Sequence, residues 1–404
     1  MKHYWKAGTA AAIAATLLVT LMPASLGVPA WARRTGMPCV SCHFGGTHRL
    51  TKTGNDFLLR GHRMKDEEGI TDGGKDLNLL KYMSFASKVR FTANNTKPEA
   101  TGFEVESFSI YLGGPLSGNF SFFVEQYLHE RGKTASSTGG ETDTAVRTKL
   151  ADAYLSWSSA PQGDSFTYVR AGQIYPYAIY ALSSGGRLSI NRPTVINEGQ
   201  GAGNLFTPRD RAYGVSAGYV NDPRGYRVEA GIVNSGGTNK RANLEEQNAF
   251  KDTFLTVEKE FDANGSALGL YAYNGRFKIN ASGSTPAWED RFYRLGVFGR
   301  YQTEALALSG AFLNGTNQVL AGGHRSPEGY FMELGYSFQP TLTAYGRYDH
   351  QYNDLGPTSR RTDVTLGVSQ RLSDVGRVVL EIVGTTVGGS PYKRQIQGEM
   401  SWLF

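Results

Sequence analysis

From about residue 84 to Phe404 the chain repeats one pattern about sixteen times: a segment of roughly ten alternating residues, then a connector, with short and long connectors taking turns. In the first segment Phe85, Ser87, Val89 and Phe91 hold one, mostly apolar, parity, while Lys88, Arg90 and Thr92 hold the other. The split recurs in Tyr226, Val228, Ala230 and Ile232 against Arg227 and Glu229. It recurs again in Tyr330, Met332, Leu334, Tyr336 and Phe338 against Glu333 and Ser337. Successive side chains of a strand point to opposite faces, so each segment has one apolar and one polar face. Strands are expected near 84–93, 103–112, 119–129, 149–158, 165–173, 211–220, 225–234, 251–260, 266–275, 291–301, 305–313, 329–338, 341–349, 362–372, 376–385 and 394–404.

A soluble sandwich also alternates, so periodicity leaves two architectures open. Connector length separates them. Connectors around 113, 160, 222, 262, 303, 339 and 374 are tight, whereas those around 97, 139, 190, 242, 283, 320, 355 and 389 are mostly longer. An outer-membrane barrel has short periplasmic turns and long outer loops; a sandwich has no reason for that asymmetry. No stretch past residue 80 is long and apolar enough for a membrane helix. The last strand ends Met400-Ser401-Trp402-Leu403-Phe404, and a terminal Phe resembles the signal read by the bacterial outer-membrane assembly machinery. The expected fold class is all-β: a transmembrane antiparallel β-barrel of about 16 strands over 81–404, facing outer-membrane lipid, with both termini periplasmic.

The first residues carry Lys2 and Lys6, an apolar run from about Ala10 to Leu21, and the small-x-small tripeptide Ala30-Trp31-Ala32. Together these read as a signal peptide over 1–32, cleaved near Ala32. The run is short for a membrane span. Arg33 and Arg34 follow it, so they do not form a twin-arginine signal, and no cysteine stands at the cleavage site to take a lipid.

Cys39 and Cys42 are the only cysteines in the chain, and they stand in Cys39-Val40-Ser41-Cys42-His43. C-x-x-C-H is a haem-attachment motif. Two thiols one helical turn apart can form thioethers to the two vinyl groups, and the imidazole that follows can bind iron from the proximal side. A redox dithiol does not need the histidine, and zinc needs two further ligands in a chain with no other cysteine. One covalent haem c is therefore expected at Cys39 and Cys42, with His43 as the proximal ligand. Residues 33–80 are too few to hold a core without a staple, and haem supplies one. This segment is expected to form a small haem-binding plug inside or beneath the barrel, with a short helix within Thr51 to Met64. Met64, His62 and His48 are all in reach as distal ligands.

The stretch Ala32-Arg33-Arg34-Thr35-Gly36-Met37-Pro38-Cys39-Val40-Ser41-Cys42-His43, then Gly54 to Met64, then Asn78-Leu79-Leu80-Lys81-Tyr82, resembles the fused outer-membrane cytochrome and porin proteins of iron-oxidising bacteria. Similarity of architecture covers the whole chain, and motif similarity the N-terminal fifth. The resemblance implies that electrons are taken from extracellular iron(II) and passed through the haem to a periplasmic c-type cytochrome or other carrier. It favours Met64 as distal ligand, because thioether ligation raises the potential that an acceptor from iron(II) needs. His62 is the alternative and His48 the less favoured choice. Two departures are Asn55 after Gly54, where the family has a bulkier residue, and His62 where a tyrosine is usual.

Glu104, Glu106, Glu125, His129 and Asp152 fall near the expected outer ends of strands two to four, where carboxylates and imidazole suit transient iron(II), though porin lumens are polar as a rule. The long loop over 174–210 either folds inward as a constriction or leaves Tyr175, Tyr177 and Tyr180 in an outer aromatic girdle. No catalytic triad or phosphate-binding loop is present, and no catalytic residue is assigned. The formal charge of +6 is spread along the chain and does not indicate nucleic acid. Three functions remain: an iron(II) oxidase, an outward electron conduit to extracellular metal or a partner cytochrome, and a solute porin with a structural haem.

Overall fold

The computed structural model describes residues 29–71, 78–94, 101–130, 134–135, 141–142, 147–199, 204, 206–235, 250–279, 286–320, 322–354, 359–390 and 392–404. Most of the expected signal peptide and the expected loops near 97, 139, 242, 283 and 355 lie outside the described residues. Sixteen antiparallel strands form one closed barrel. They are β1 Met83–Asn94, β2 Thr101–Ser117, β3 Phe120–Glu130, β4 Arg147–Ser158, β5 Ser165–Ile174, β6 Ala212–Asn221, β7 Tyr226–Val233 and β8 Asp252–Glu260. The second half is β9 Ala267–Ile279, β10 Trp288–Gln302, β11 Leu306–Gln318, β12 Glu328–Gln339, β13 Leu342–Tyr352, β14 Arg360–Arg371, β15 Gly376–Val387 and β16 Lys393–Leu403. Strands adjacent in sequence pair in the sheet, and β1 closes on β16 from Ala86 opposite Leu403 to Asn94 opposite Gln395. Closure leaves no free edge, as a sheet in lipid requires.

The parity read from sequence is the parity of the wall. On β12, Met332, Leu334 and Phe338 are 60%, 48% and 61% exposed outward, while Glu333 between them is 0% exposed and faces the lumen. On β7, Ile232 is exposed and Arg227 and Glu229 are buried. One expected turn moves. The sequence breaks at Gly113-Gly114-Pro115, but β2 runs on to Ser117, and an irregular register between Pro115 and Ser117 absorbs the breakers. The turn is at 118–119, not near 113.

The lumen is not uniformly polar. Phe254, Phe298, Tyr168 and Tyr345 point inward, each directly opposite a cross-strand glycine, respectively Gly231, Gly269, Gly218 and Gly367. Each ring covers its glycine so closely that a Cβ there would collide with it. Glycine is what makes room for the rings.

Against these aromatics packs the long loop after β5. It folds inward through two short helices, Tyr177–Leu182 and Thr194–Asn197, whose Ile179, Leu182, Val195 and Ile196 are buried with Phe254, Tyr273, Phe292 and Phe331. Lumen carboxylates hold its backbone. The Tyr177, Leu188, Ile190 and Thr194 N–H groups donate to Glu229 (2.7 Å), Glu333 (2.9 Å), Glu381 (2.6 Å) and Asp349 (2.8 Å). Tyr175 and Tyr177 are therefore buried in the lumen rather than placed in an outer girdle, and Ile190, expected on an outer loop, is 1% exposed.

Among the described residues the plug has three α-helices, α1 Ala30–Thr35, α2 Cys39–Cys42 and α3 Lys52–Leu59, with 3-10 turns at Phe44–Gly46 and Leu79–Lys81. Pro29 and Pro38 precede α1 and α2, where a missing N–H costs nothing, and Gly36 ends α1 in the left-handed region at φ 69°. Thr51 caps α3 by accepting from the Gly54 N–H. Ala30 and Trp31, which precede the expected boundary at residue 33, pack against the barrel. Ala30 is 1% exposed, its N–H donates to Ser84 Oγ at 2.7 Å, and Trp31 Nε1 donates to the Gly113 carbonyl.

The short turns lie at 118–119, 159–164, 222–225, 261–266, 303–305, 340–341 and 372–375, and the plug contacts several of them and the strand ends beside others. Arg63 donates to the Gly118 carbonyl, and Arg60 donates to the Gly163 carbonyl at 2.6 Å and to Asp222 at 2.8 Å. Lys52 pairs with Glu260 at 2.9 Å, and Arg49 donates to Gln302 at 3.1 Å and to the Leu308 carbonyl at 2.9 Å. Thr343 donates to the Gly45 carbonyl and Ser369 to the Gly46 carbonyl. The plug thus seats in the short-turn mouth of the barrel.

Candidate functional site

A cavity of about 290 Å³ lies where the plug, the inward loop and the walls of β1–β4 and β14–β16 meet. Cys39, Cys42 and His43 line it from the plug. The two cysteines are free. Burial raises the Cys39 thiol, and it pushes Cys42 up to about 11, so both are protonated near neutrality. A redox dithiol works by a lowered thiol pKa, so this pair is unsuited to thiol exchange.

His43 follows directly. Its Nδ1 lies 3.3 Å from the His48 carbonyl. A carbonyl can only accept, so Nδ1 carries the proton and Nε2 keeps its lone pair, the tautomer a metal-binding imidazole needs. Burial and then Arg371 lower His43 to about 4, which keeps the ring neutral.

One side of the cavity is aromatic. Trp31 packs edge-on to Phe57 with centroids 5.7 Å apart, and His62 stacks on Phe123 at 4.3 Å and 7°. His62 ends α3: its N–H donates to the Phe57 carbonyl at 2.9 Å, and it takes φ 62° directly after Gly61 at φ 79°. Arg34 donates to the His62 carbonyl, fixing this corner. The His62 ring is 2% exposed, and its Nδ1 is buried without a partner among the described residues. Burial, then Arg34 and Arg170, lower His62 to about 3, so it too is neutral. Met64 lines the same cavity, half-buried, with its N–H on Glu67. His48 also lines it, but its Nε2 lies 2.7 Å from Arg377 Nη2 and therefore accepts a hydrogen bond.

The other side is cationic. Lys88, Arg187, Arg371 and Arg377 line it. Burial and the neighbouring Arg192 lower Arg187 to about 9.

The carboxylates and imidazole considered for iron(II) do not converge. Asp152 and Glu125 meet on Arg211 at 2.7 and 3.3 Å, with Tyr111 donating to Glu125 at 2.7 Å. Glu106 instead pairs with Arg90, and His129 Nε2 lies 2.9 Å from the Val105 carbonyl. Among the described residues no group of three or more His, Cys, Asp or Glu is arranged to hold a metal ion. Sequence reasoning placed Cys39, Cys42, His43, His48, His62 and Met64 near one another, and all six line one cavity. It missed Trp31, read as part of a cleavage site, and Arg187, which sits in a loop with no periodicity to reveal its direction.

The residues fit a haem. The cavity offers two thiols and a ligand-ready imidazole at one end, an aromatic wall that suits a flat macrocycle, and an orphaned imidazole nitrogen in that wall.

Neither models of known protein families nor curated protein sequences match the chain. Solved structures do. The chain is similar to an anion-selective porin from Comamonas acidovorans, at 13% identity and a TM-score of 0.57, over 80% of this chain and 98% of that one. The outer membrane channel DcaP of Acinetobacter baumannii is 12% identical with a TM-score of 0.53, over 80% and 97% of the two chains. A loop-deletion mutant of OmpT, an outer membrane protein of Vibrio cholerae, is 13% identical with a TM-score of 0.52, over 80% and 99%. At such identities the likeness is one of fold. The chain is a porin-like β-barrel carrying a plug.

Proposed function

We propose that this chain is an outer-membrane electron-transfer protein of the fused cytochrome and porin type, holding one haem c on Cys39 and Cys42 with His43 as proximal ligand. The observation that carries the reading is the C-x-x-C-H turn opening onto a cavity, with the His43 Nδ1 proton committed to the His48 carbonyl. A haem bound there supplies a one-electron carrier between iron(II), which leaves as iron(III), and an oxidised periplasmic carrier. The protein's own residues set its conditions. Trp31, Phe57 and Phe123 exclude water from one face, and the His48 carbonyl increases the basicity of His43.

For the distal position His62 has the best support, ahead of the Met64 favoured from sequence, because it combines burial, a neutral ring and an unpartnered nitrogen. His48 has the least, since its Nε2 is engaged by Arg377. The exposed apolar outer face supports insertion in the outer membrane, with the short turns and plug toward the periplasm and the long loops outward.

A solute porin with a structural haem is the second reading, and the likeness to porins favours it directly. The plug in the short-turn mouth and the loop folded into the lumen oppose free diffusion through the barrel. One set of measurements separates the readings. Haem staining on a denaturing gel tests covalent attachment; stopped-flow mixing with iron(II) and a redox titration test oxidation; liposome swelling tests solute passage. Haem reduction by iron(II) without swelling supports the proposal. Swelling without haem reduction makes the protein a porin, and a potential well below the iron couple makes it an outward conduit.

A further inference from the structure

We propose that Arg187 and Arg377, with Lys88 beside them, form a receptor for the two carboxylates of a haem attached at Cys39 and Cys42; this rests on the haem reading above. Arg187 is 7% exposed, and its Nη1 donates to the Ile190 carbonyl at 2.6 Å. Its Nε is buried without a partner among the described residues. Arg377 is 6% exposed. Its Nη2 is taken by His48 Nε2 at 2.7 Å, with Glu399 at 3.5 Å, while its Nε and Nη1 are likewise buried and unpartnered. Glu399 is one carboxylate shared among these cations, with Oε2 on Arg90 at 2.7 Å and Oε1 3.5 Å from Arg377. Guanidinium N–H groups left unpaired in a buried place are costly, and their planar fork matches a carboxylate.

The remaining walls say what kind of anion fits. The same cavity is bounded by Trp31, Phe57, Leu58 and Phe123, so the ligand has an apolar body with anionic groups at one edge. A haem c carries its propionates on the edge away from the carbons that form thioethers. That polarity matches the site. Cys39 lies at the short-turn rim, 3.4 Å from the Asp374 carbonyl, while Arg187 is carried on the loop that enters the lumen after β5. A free carboxylate from solution shares the chemistry and is the competing source.

The test uses the purified full-length protein with haem attached, as wild type, Arg187→Gln, Arg377→Gln and Arg187→Lys. Heat-modified gel mobility checks that each barrel folds, and haem staining checks attachment. The readouts are the midpoint potential and the carboxylate bands of the redox infrared difference spectrum. Both Gln variants are expected to lower the potential, because a lost cation favours the oxidised haem. They are also expected to shift the carboxylate bands, with Arg187→Lys restoring most of the potential. Stained, folded Gln variants with wild-type potential and bands would overturn the receptor while leaving the haem in place. If wild type takes no covalent haem, both readings fall together. Succinate is the probe for the other source. A wild-type potential that responds to succinate, and no longer does so in Arg187→Gln, would give the site to free carboxylates and overturn the propionate assignment.

Discussion

The Leu50 N–H donates to the Gly185 carbonyl at 2.7 Å, a bond between the plug and the loop that descends into the lumen from the other end of the barrel. Residues from opposite ends of the barrel therefore close one cavity. The plug contributes the cysteines and His43, the loop contributes Arg187, and the wall contributes Phe123 and Arg377. Each part is anchored separately, the plug by arginines on the short turns and the loop by lumen carboxylates.

Arg60 is one of the buried plug anchors. It is 4% exposed and donates to the Pro161 carbonyl at 2.9 Å, the Gly163 carbonyl at 2.6 Å and Asp222 at 2.8 Å. Arg60→Ala is expected to weaken plug docking by about 3 kcal/mol, the scale of charged hydrogen bonds lost from a buried place. Planar-bilayer recordings should show a higher conductance than wild type, and limited proteolysis should reach the plug. Unchanged conductance and protection would mean that the remaining turn contacts suffice.

Gly54 sets the distance between α3 and the cysteine turn. A Cβ at this position would collide with the Cys42 carbonyl. Alanine favours a helix over glycine by about 1 kcal/mol, but overpacking against a fixed backbone costs about 1–3 kcal/mol, so the clash wins. Gly54→Ala is expected to lower the thermal transition and reduce the haem stain per protein. A more stable variant with full staining would show that the helix can shift freely.

Orientation is testable on whole cells. An epitope placed at 322–323, on the long-loop side, should be labelled without permeabilisation, and one at 222–225 should not. An insertion at 190 should prevent folding rather than become accessible, because Ile190 is 1% exposed and bound to Glu381. Equal labelling at 222–225 on intact cells would reverse the proposed orientation.

The strands were legible because lipid on one side and a filled lumen on the other impose period two, as Met332 and Glu333 show. The cysteine turn was legible because its chemistry is local, with Cys39, Cys42 and His43 within five residues. What escaped depends on distant contacts. Phe254 and Phe292 face inward, so their strands carry apolar residues on both parities, and only the packed loop explains them. Nothing local tells Arg187 to enter the lumen. Ala30-Trp31-Ala32 has the composition of a cleavage site, yet the structure uses it as the first helix of the plug, where Trp31 packs on Phe57 and His62.

The distal ligand can be decided by two substitutions that perturb little else. His62 holds φ 62°, a conformation in which most side chains are strained and asparagine is better tolerated. His62→Asn therefore removes the imidazole at small cost to the backbone, whereas an alanine there adds about 1 kcal/mol of strain that confuses the result. If His62 binds the iron, His62→Asn should abolish the low-spin spectrum of a haem with two imidazoles and shift the potential, while Met64→Leu leaves both intact. The opposite pattern, a spectrum lost in Met64→Leu and kept in His62→Asn, would assign thioether ligation instead. Met64→His would then lower the potential and slow reduction by iron(II), because imidazole favours the reduced iron less than thioether does. The two outcomes exclude each other, so a single pair of optical spectra chooses between them.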